Sequence, residues 1–145
     1  MTDAVKELLI KAAPATIFPF LTDPEQFVKW MGTDVALVAA PGGEFRAVCG
    51  GVNPAAGTFL EVVPNEKVVF TFGWDLPDHP IPAGSTTVEI TLIPEGDATL
   101  LRLVHSGLPD DAIADHLVGW NYYLARLDTV VSGGDPGRDD LRSNQ

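Results

Sequence analysis

The chain has 145 residues, of which 46% are hydrophobic and 20% are charged, and its formal net charge is −11. This length and apolar content predict one globular domain with a core, and they exclude a disordered chain. The nine Lys and Arg residues are scattered, which argues against a protein that binds nucleic acid through its phosphate backbone. The single cysteine, Cys49, excludes an internal disulfide and a cysteine-based zinc site.

No apolar run in the sequence is long enough to span a bilayer, so membrane insertion is not expected. The N-terminus lacks the basic and apolar regions of a signal peptide. We therefore expect a cytoplasmic protein.

The chain begins with a predicted strand over Ala4–Ala12 and two short predicted helices. Pro14 favours a helix over Ala15–Leu21, because proline suits the first turn of a helix. Thr22–Pro24 then ends this helix and begins a second one over Glu25–Met31.

Six further strands are predicted between turns rich in Gly, Pro and Asn. They cover Val35–Ala39, Glu44–Gly50, Gly57–Val63, Lys67–Trp74, Thr86–Ile93 and Ala98–Ser106. The strand over Lys67–Trp74 alternates most clearly, and its large even-numbered side chains are expected to face the core. These side chains are Val68, Phe70, Phe72 and Trp74.

The longest helical pattern lies near the C-terminus, between Leu108 and Val131. Apolar residues recur there in alternating steps of four and three, which is typical of one face of a helix. This stripe consists of Ile113, Leu117, Trp120, Leu124, Leu127 and Val131. Gly133 and Gly134 mark the end of the helix. We expect a single domain over residues 1–132, followed by a polar, frayed C-terminal tail over residues 133–145.

The order of elements predicts an α+β fold. Short connections favour a meander of antiparallel strands, and the long helix needs a surface that covers its apolar stripe. We therefore expect a curved antiparallel sheet wrapped around the long C-terminal helix, with two short helices after the first strand.

Several local motifs, taken in order, resemble one family. They are Ala13-Pro14, Leu21–Pro24 followed by Trp30, Pro41–Phe45, Gly57–Val62, Val69–Phe72, Val104–Leu108 and His116–Trp120. Their order and spacing resemble the helix-grip fold of the START-like (SRPBCC) superfamily. Within it they resemble the branch named after the activator of the heat-shock chaperone ATPase. The resemblance implies a hydrophobic cavity between the sheet and the long helix, in which many members hold lipid-like or polycyclic ligands.

The inner strand face and the helix together predict the residues that would line such a cavity. They are Trp30, Phe70, Phe72, Trp74, Leu101, Leu103, His105, His116, Trp120 and Tyr123. The histidines and the tyrosine would supply the few polar groups that orient a ligand in a mostly apolar pocket. The alternative is that all ten residues are ordinary closely packed core. The expected function is binding of an apolar small molecule, without a cofactor.

Two other functions stay open from the sequence. A pocket histidine, His105 or His116, can act as general acid or base in a cyclase- or hydrolase-like enzyme. Equally, His105 can hydrogen-bond a backbone carbonyl, and His116 can lie at the exposed margin of the helix. A homodimer or a chaperone-interacting stress-response protein is the third reading, and it depends on Val118, Tyr122 and Ala125 on the outer helix face.

Metal and nucleophile chemistry are not expected. The three histidines are scattered without metal-ligand spacing, and no Ser-His-Asp or Cys-His arrangement is visible. The loop over Asp75–Ser85, which contains three prolines, either covers the mouth of a cavity or is a stiff connection.

Overall fold

The computed structural model describes residues 3–141 of the chain. The elements are β1 (Ala4–Ile10), α1 (Pro14–Ile17), α2 (Pro19–Thr22), α3 (Pro24–Phe27), β2 (Val35–Leu37), β3 (Glu44–Cys49), β4 (Asn53–Val63), β5 (Lys67–Phe72), β6 (Thr86–Glu95), β7 (Ala98–Ser106) and α4 (Ile113–Val131). A single turn of 3₁₀ helix over Asp110–Ala112 leads into α4.

The seven strands form one antiparallel sheet in the order β1-β7-β6-β5-β4-β3-β2. Strands adjacent in sequence pair with each other from β2 to β7, and β1 closes the sheet by pairing with β7. A bulge between Phe59 and Glu61 interrupts the register of β4 and β5, and such bulges increase the local twist. This confirms the predicted α+β helix-grip fold, with its long C-terminal helix on a curved antiparallel sheet.

Several local predictions differ from the structure, and the second predicted helix ends at Phe27 instead of Met31. The first predicted helix is divided, because Pro19 lacks the N–H that would continue α1 and instead begins α2. The strand predicted over Gly57–Val63 is longer than expected, since β4 already begins at Asn53, opposite Cys49. Proline at position 54 is compatible with a strand that begins only one residue earlier.

The buried face of α4 is rotated relative to the predicted stripe. Trp120, Leu124 and Leu127 are buried as expected, whereas the stripe residues at the two ends of the helix are only half-buried. His116, Tyr123, Arg126 and Val130 are buried in addition. The helix is therefore covered on a second side, adjacent to the side that faces the sheet.

The additional cover comes from residues 133–141, which we call the C-terminal segment. The sequence predicts a frayed tail here, but within this segment Asp139 is only 2% exposed. Its carboxylate accepts hydrogen bonds from the main body of the protein, and Arg126 of α4 binds carbonyl groups of the segment. A buried polar side chain needs such partners, and here they come from distant parts of the chain. The remaining tail, residues 142–145, lies outside the described residues.

An aromatic cluster fills the core between the sheet and α3. The ring of Phe45 stacks on that of Phe70 at a centroid distance of 4.2 Å. Phe27 and Phe59 meet Phe45 edge-on at 5.9 and 6.2 Å. All four side chains are at most 1% exposed. None of the helices within residues 3–141 is long and apolar enough to cross a bilayer.

Replacing Phe45 by alanine tests this core. Phe45→Ala is expected to lower the free energy of unfolding by about 3–5 kcal/mol, because it removes a fully buried ring and leaves a cavity. Urea denaturation measures the change. Leu60→Ala on β4 is the control, because Leu60 is 51% exposed and such surface changes stay within about 0.5 kcal/mol. Equal losses in the two variants would contradict the position of Phe45 in the core.

Candidate functional site

Five rings meet where the ends of β5 and β7 face the first half of α4. The ring of Phe72, the last residue of β5, lies 5.4 Å from Trp74, 5.0 Å from His105, 6.4 Å from His116 and 5.9 Å from Trp120. The two imidazole rings lie 5.3 Å apart and edge-on. Because His116 and Trp120 are one turn apart on α4, both point at the same strand ends. We call these five residues the ring cluster.

The helix and the sheet exchange hydrogen bonds within the ring cluster. Trp120 on α4 donates its Nε1–H to Nδ1 of His105 on β7, at 3.1 Å. Trp74, just beyond β5, donates its Nε1–H to Nε2 of His116 on α4, at 3.3 Å. Each side of the interface therefore contributes one indole donor and one imidazole acceptor.

The second nitrogen of each imidazole also has a partner, which fixes the tautomer. His105 Nε2 lies 2.8 Å from Thr86 Oγ1, whose hydroxyl donates to the Phe72 carbonyl at 2.6 Å. Thr86 therefore accepts from His105, and the proton of His105 is on Nε2. His116 Nδ1 lies 2.9 Å from the Ala112 carbonyl, which can only accept, so the proton of His116 is on Nδ1.

Both histidines are held neutral by their surroundings. Burial and, to a smaller extent, the neighbouring His116 together lower the pKa of His105 to about 3. Burial also lowers the pKa of His116, although the Ala112 carbonyl and the Asp115 carboxylate oppose this shift. Near neutral pH neither imidazole is charged, and all four nitrogens are engaged in hydrogen bonds.

The rings leave little open space between the sheet and α4. One cavity of about 20 Å³ remains beside the ring cluster, which is room for about one water molecule. Its wall includes Met31, Tyr123, Gly119 and Leu141 in addition to members of the ring cluster. Leu141 closes the outer side, because its Cδ2 lies only 3.9 Å from the position that a Cβ atom would have if Gly119 carried a side chain.

The structure brings together six of the ten residues that the sequence predicts for the site. These are the ring cluster and Tyr123, which lies one turn beyond Trp120 on the wall of the same small cavity. Phe70 instead stacks on Phe45, and Trp30 packs on Phe27 at 4.8 Å and donates to the Phe20 carbonyl at 2.8 Å. Leu101 and Leu103 are fully buried in β7 and are not part of the cavity wall.

Sequence reasoning missed three parts of the site. Met31 was placed in the second short helix without a role, although it lines the cavity. Asp139 and Leu141 belong to the predicted tail, where the composition gave no sign of burial. The only available signal was that Leu141 is a large apolar residue in an otherwise polar segment.

The loop after Trp74 folds back onto that residue. Trp74 donates its backbone N–H to the Ile81 carbonyl at 2.8 Å, and Ile81 is buried. His79 accepts from the Ile81 N–H at 3.0 Å, and its ring lies 6.1 Å from that of Trp74. The loop therefore covers the outer side of the ring cluster. Across residues 3–141, no three His, Cys, Asp or Glu side chains are grouped so as to hold a metal ion.

Comparison with known proteins places the fold in context. A family model described as "Activator of Hsp90 ATPase homolog 1-like protein" matches residues 11–132. An AHSA1-like protein from Rhizobium etli has a solution structure that is 39% identical, with a TM-score of 0.72 over 99% of this chain and 90% of that one. No curated protein matches the chain.

More distant structures share the fold alone. The Aha1 dimer from Colwellia psychrerythraea is 22% identical, with a TM-score of 0.77 over 90% of this chain and 96% of that one. DynU16, from the dynemicin biosynthetic locus, is 22% identical, with a TM-score of 0.82 over 97% of this chain. This chain spans only 51% of the length of DynU16.

The neutral histidines predict that stability falls with acidification. An unfolded histidine takes up a proton near pH 6.5, whereas folded His105 does so only near pH 3, and the pKa of His116 is lowered too. Between these values the unfolded state binds more protons. The free energy of unfolding should therefore decrease from pH 7 to pH 5, by up to about 1.4 kcal/mol per pH unit for each histidine.

Urea denaturation at pH 7, 6 and 5 measures this slope. His105→Gln removes one titrating group, so its slope should be shallower than that of the wild-type protein, whatever its stability at pH 7. A slope unchanged by the substitution would show that His105 is not held neutral by the fold.

Proposed function

The chain belongs to the family of Activator of Hsp90 ATPase homolog 1-like proteins, and from that premise we propose that it binds an apolar small molecule, ring-containing or acyl, between its sheet and α4. The observation that carries this proposal is the ring cluster. There the sheet and the helix meet beside a residual cavity through hydrogen bonds that the polar groups of a ligand can replace, rather than through aliphatic packing. Apolar surroundings with a few convergent polar groups are typical of ligand sites.

Trp74 is the member of the ring cluster that a ligand can displace most easily. It lies beyond the last residue of β5, and its backbone is paired through isolated bridges to Ala55 of β4 and to Pro82 of the following loop. Its hydrogen bond to His116 is also the longer of the two indole–imidazole bonds. Outward movement of the Trp74 ring would enlarge the cavity and free the Nε2 acceptor of His116 for a ligand.

A cyclase- or hydrolase-like activity is the weaker alternative. General acid–base catalysis needs a ring nitrogen that exchanges a proton with the substrate. In the closed ring cluster both nitrogens of each histidine are occupied by hydrogen bonds, and neither ring is an imidazolium that could donate a proton as a general acid. Only His116 Nε2 becomes accessible if Trp74 moves, and it would then act as a base. Unchanged turnover of a substrate in His116→Gln would reject this mechanism.

Association with a second copy or with a chaperone has less support. Val118 is 53% exposed and Ala125 is exposed on the outer side of α4. Tyr122 is half-buried, and its hydroxyl donates to Asp140 of the C-terminal segment at 3.1 Å. Two isolated small apolar side chains are ordinary for a protein surface. We therefore propose ligand binding ahead of such association. A cytoplasmic location is a separate proposal.

Binding of a neutral polycyclic dye tests the proposal. Nile red titrated into the protein should show a saturable rise in emission at one dye per chain, because the dye leaves water for the ring cluster. Gly119→Leu should weaken this binding at least about tenfold, the effect of about 1.4 kcal/mol, because the new side chain would occupy the cavity wall.

Ala125→Leu is the matched control, since it adds the same side chain to the exposed face of α4. It should leave dye binding unchanged. Failure of the wild-type protein to bind the dye, or the same affinity in both variants, would contradict a ligand site at this position.

A further inference from the structure

The carboxylate of Asp139 is held by three donors of the main body. Its Oδ2 accepts from the backbone N–H groups of Gly32 at 2.9 Å and Gly50 at 3.1 Å, and from the Tyr123 hydroxyl at 2.8 Å. All three donors meet at one oxygen atom, and all three contacts are buried. We call the position defined by Gly32, Gly50 and Tyr123 the carboxylate recess.

The carboxylate recess is built by elements that are far from Asp139 in sequence. Gly32 follows α3, Gly50 begins the turn between β3 and β4, and Tyr123 lies on α4. Gly32 and Gly50 have φ values of +90° and +63°. Backbone amides in such left-handed conformations form concave anion sites, and glycine adopts them without strain. Burial raises the pKa of Tyr123, so its hydroxyl remains a donor at neutral pH.

The C-terminal segment is attached next to the recess through Arg126. This guanidinium donates to the carbonyl groups of Pro136 at 3.1 Å, Gly137 at 2.9 Å and Arg138 at 3.4 Å, and to that of Trp30 at 2.9 Å. Within the described part of the chain, Arg126 takes part in no ion pair. The attachment therefore consists of charge-assisted hydrogen bonds from one guanidinium to the backbone of a short segment, and not of a large apolar interface.

The segment occupies two adjoining positions at once. Asp139 fills the carboxylate recess, and Leu141, two residues later, closes the small cavity beside the ring cluster. Tyr123 belongs to both positions, because its hydroxyl binds Asp139 and its side chain lines the cavity. The segment thus presents a carboxylate and an apolar group in the arrangement that an acid with an apolar body would use.

The charge of the cleft around the segment favours an anionic ligand as a group that could take the place of the segment. A cleft of about 550 Å³ lies between the segment and the body, and its charged residues from the body are Lys29 and Arg126. The acidic residues of this cleft, Asp135 and Asp139, both belong to the segment, together with one basic residue, Arg138. Removal of the segment would leave a locally basic surface on a chain whose net charge is −11.

We propose that the carboxylate recess is a binding site for small molecules with a carboxylate head and an apolar body, and that the C-terminal segment is its internal occupant. Such a ligand displaces the segment, places its carboxylate on Gly32, Gly50 and Tyr123, and extends its apolar body toward the ring cluster. The position of the apolar body rests on the proposed function, whereas the recess itself does not.

Chemical rescue tests the recess alone. Asp139→Ala should melt at a lower temperature than the wild-type protein, because buried donors lose a charged acceptor. Sodium acetate should raise the melting temperature of Asp139→Ala in a saturable way, beyond sodium chloride at the same ionic strength. The wild-type protein, whose recess is filled, should respond equally to both salts.

Two controls make the rescue specific. Asp140→Ala removes the neighbouring exposed carboxylate and should show no acetate effect, and Asp139→Ala combined with Tyr123→Phe should lose most of it. If Asp139→Ala is unfolded in chloride, recovery of its circular dichroism in acetate is the readout. Absence of any acetate-specific effect on Asp139→Ala overturns the proposal.

A matched pair of ligands then separates the recess from the apolar site. 2-Naphthoate should bind Asp139→Ala at least about tenfold more tightly than 2-naphthalenemethanol, the factor expected for a hydrogen-bonded charge. 2-Naphthoate should also bind Asp139→Ala more tightly than it binds the wild-type protein. If the alcohol binds and acetate has no effect, the carboxylate site is wrong and the proposed function stands. If acetate rescues and neither naphthalene compound binds, the recess stands and the apolar site is wrong.

Discussion

The closed arrangement of this protein depends on two hydrogen bonds between indole and imidazole rings. Trp120 on the helix donates to His105 on the sheet, and Trp74 beyond the sheet donates to His116 on the helix. An unpaired polar atom at such a buried interface would cost about 1–3 kcal/mol. Because Thr86 and the Ala112 carbonyl bind the remaining imidazole nitrogens, the interface leaves no nitrogen of either imidazole ring unsatisfied. Burial at this interface lowers the pKa of both histidines and keeps them neutral.

The C-terminal segment closes the interface from outside, and it too is held by hydrogen bonds between buried polar groups. Asp139 brings an acceptor to donors on three separate elements, and Arg126 brings donors to carbonyl groups of the segment. The ring cluster and the segment adjoin at Tyr123 and Leu141. Both closures consist of directional polar contacts that a ligand with matching groups can replace. This links the nearly filled interior to the ligand binding that we propose for this member of the family.

The fold follows from local patterns in the sequence, whereas the site follows only in part. Alternation in Lys67–Trp74 and the stripe in α4 determine the inward faces, so the sheet and its helix are predictable. Alternation does not distinguish Phe70 from Phe72, although two residues along a strand are about 6.8 Å apart. That distance places Phe70 among the phenylalanines of the core and Phe72 among the histidines.

Burial of Asp139 has no local signature. It depends on donors that precede it by 107, 89 and 16 positions, and a polar, glycine-rich sequence is equally typical of a frayed tail. For the same reason the pairing of each tryptophan with a particular histidine was not predictable, since it requires the positions of α4 and two strands to be known together.

The most direct test of this account is a long-range ¹H–¹⁵N correlation spectrum of the histidine rings at neutral pH. The account predicts two different, single neutral tautomers. His105 should be protonated at Nε2 and unprotonated at Nδ1, and His116 should be protonated at Nδ1 and unprotonated at Nε2. An imidazolium signal from either ring, or exchange between tautomers, would contradict the hydrogen-bonded closure of the sheet on α4.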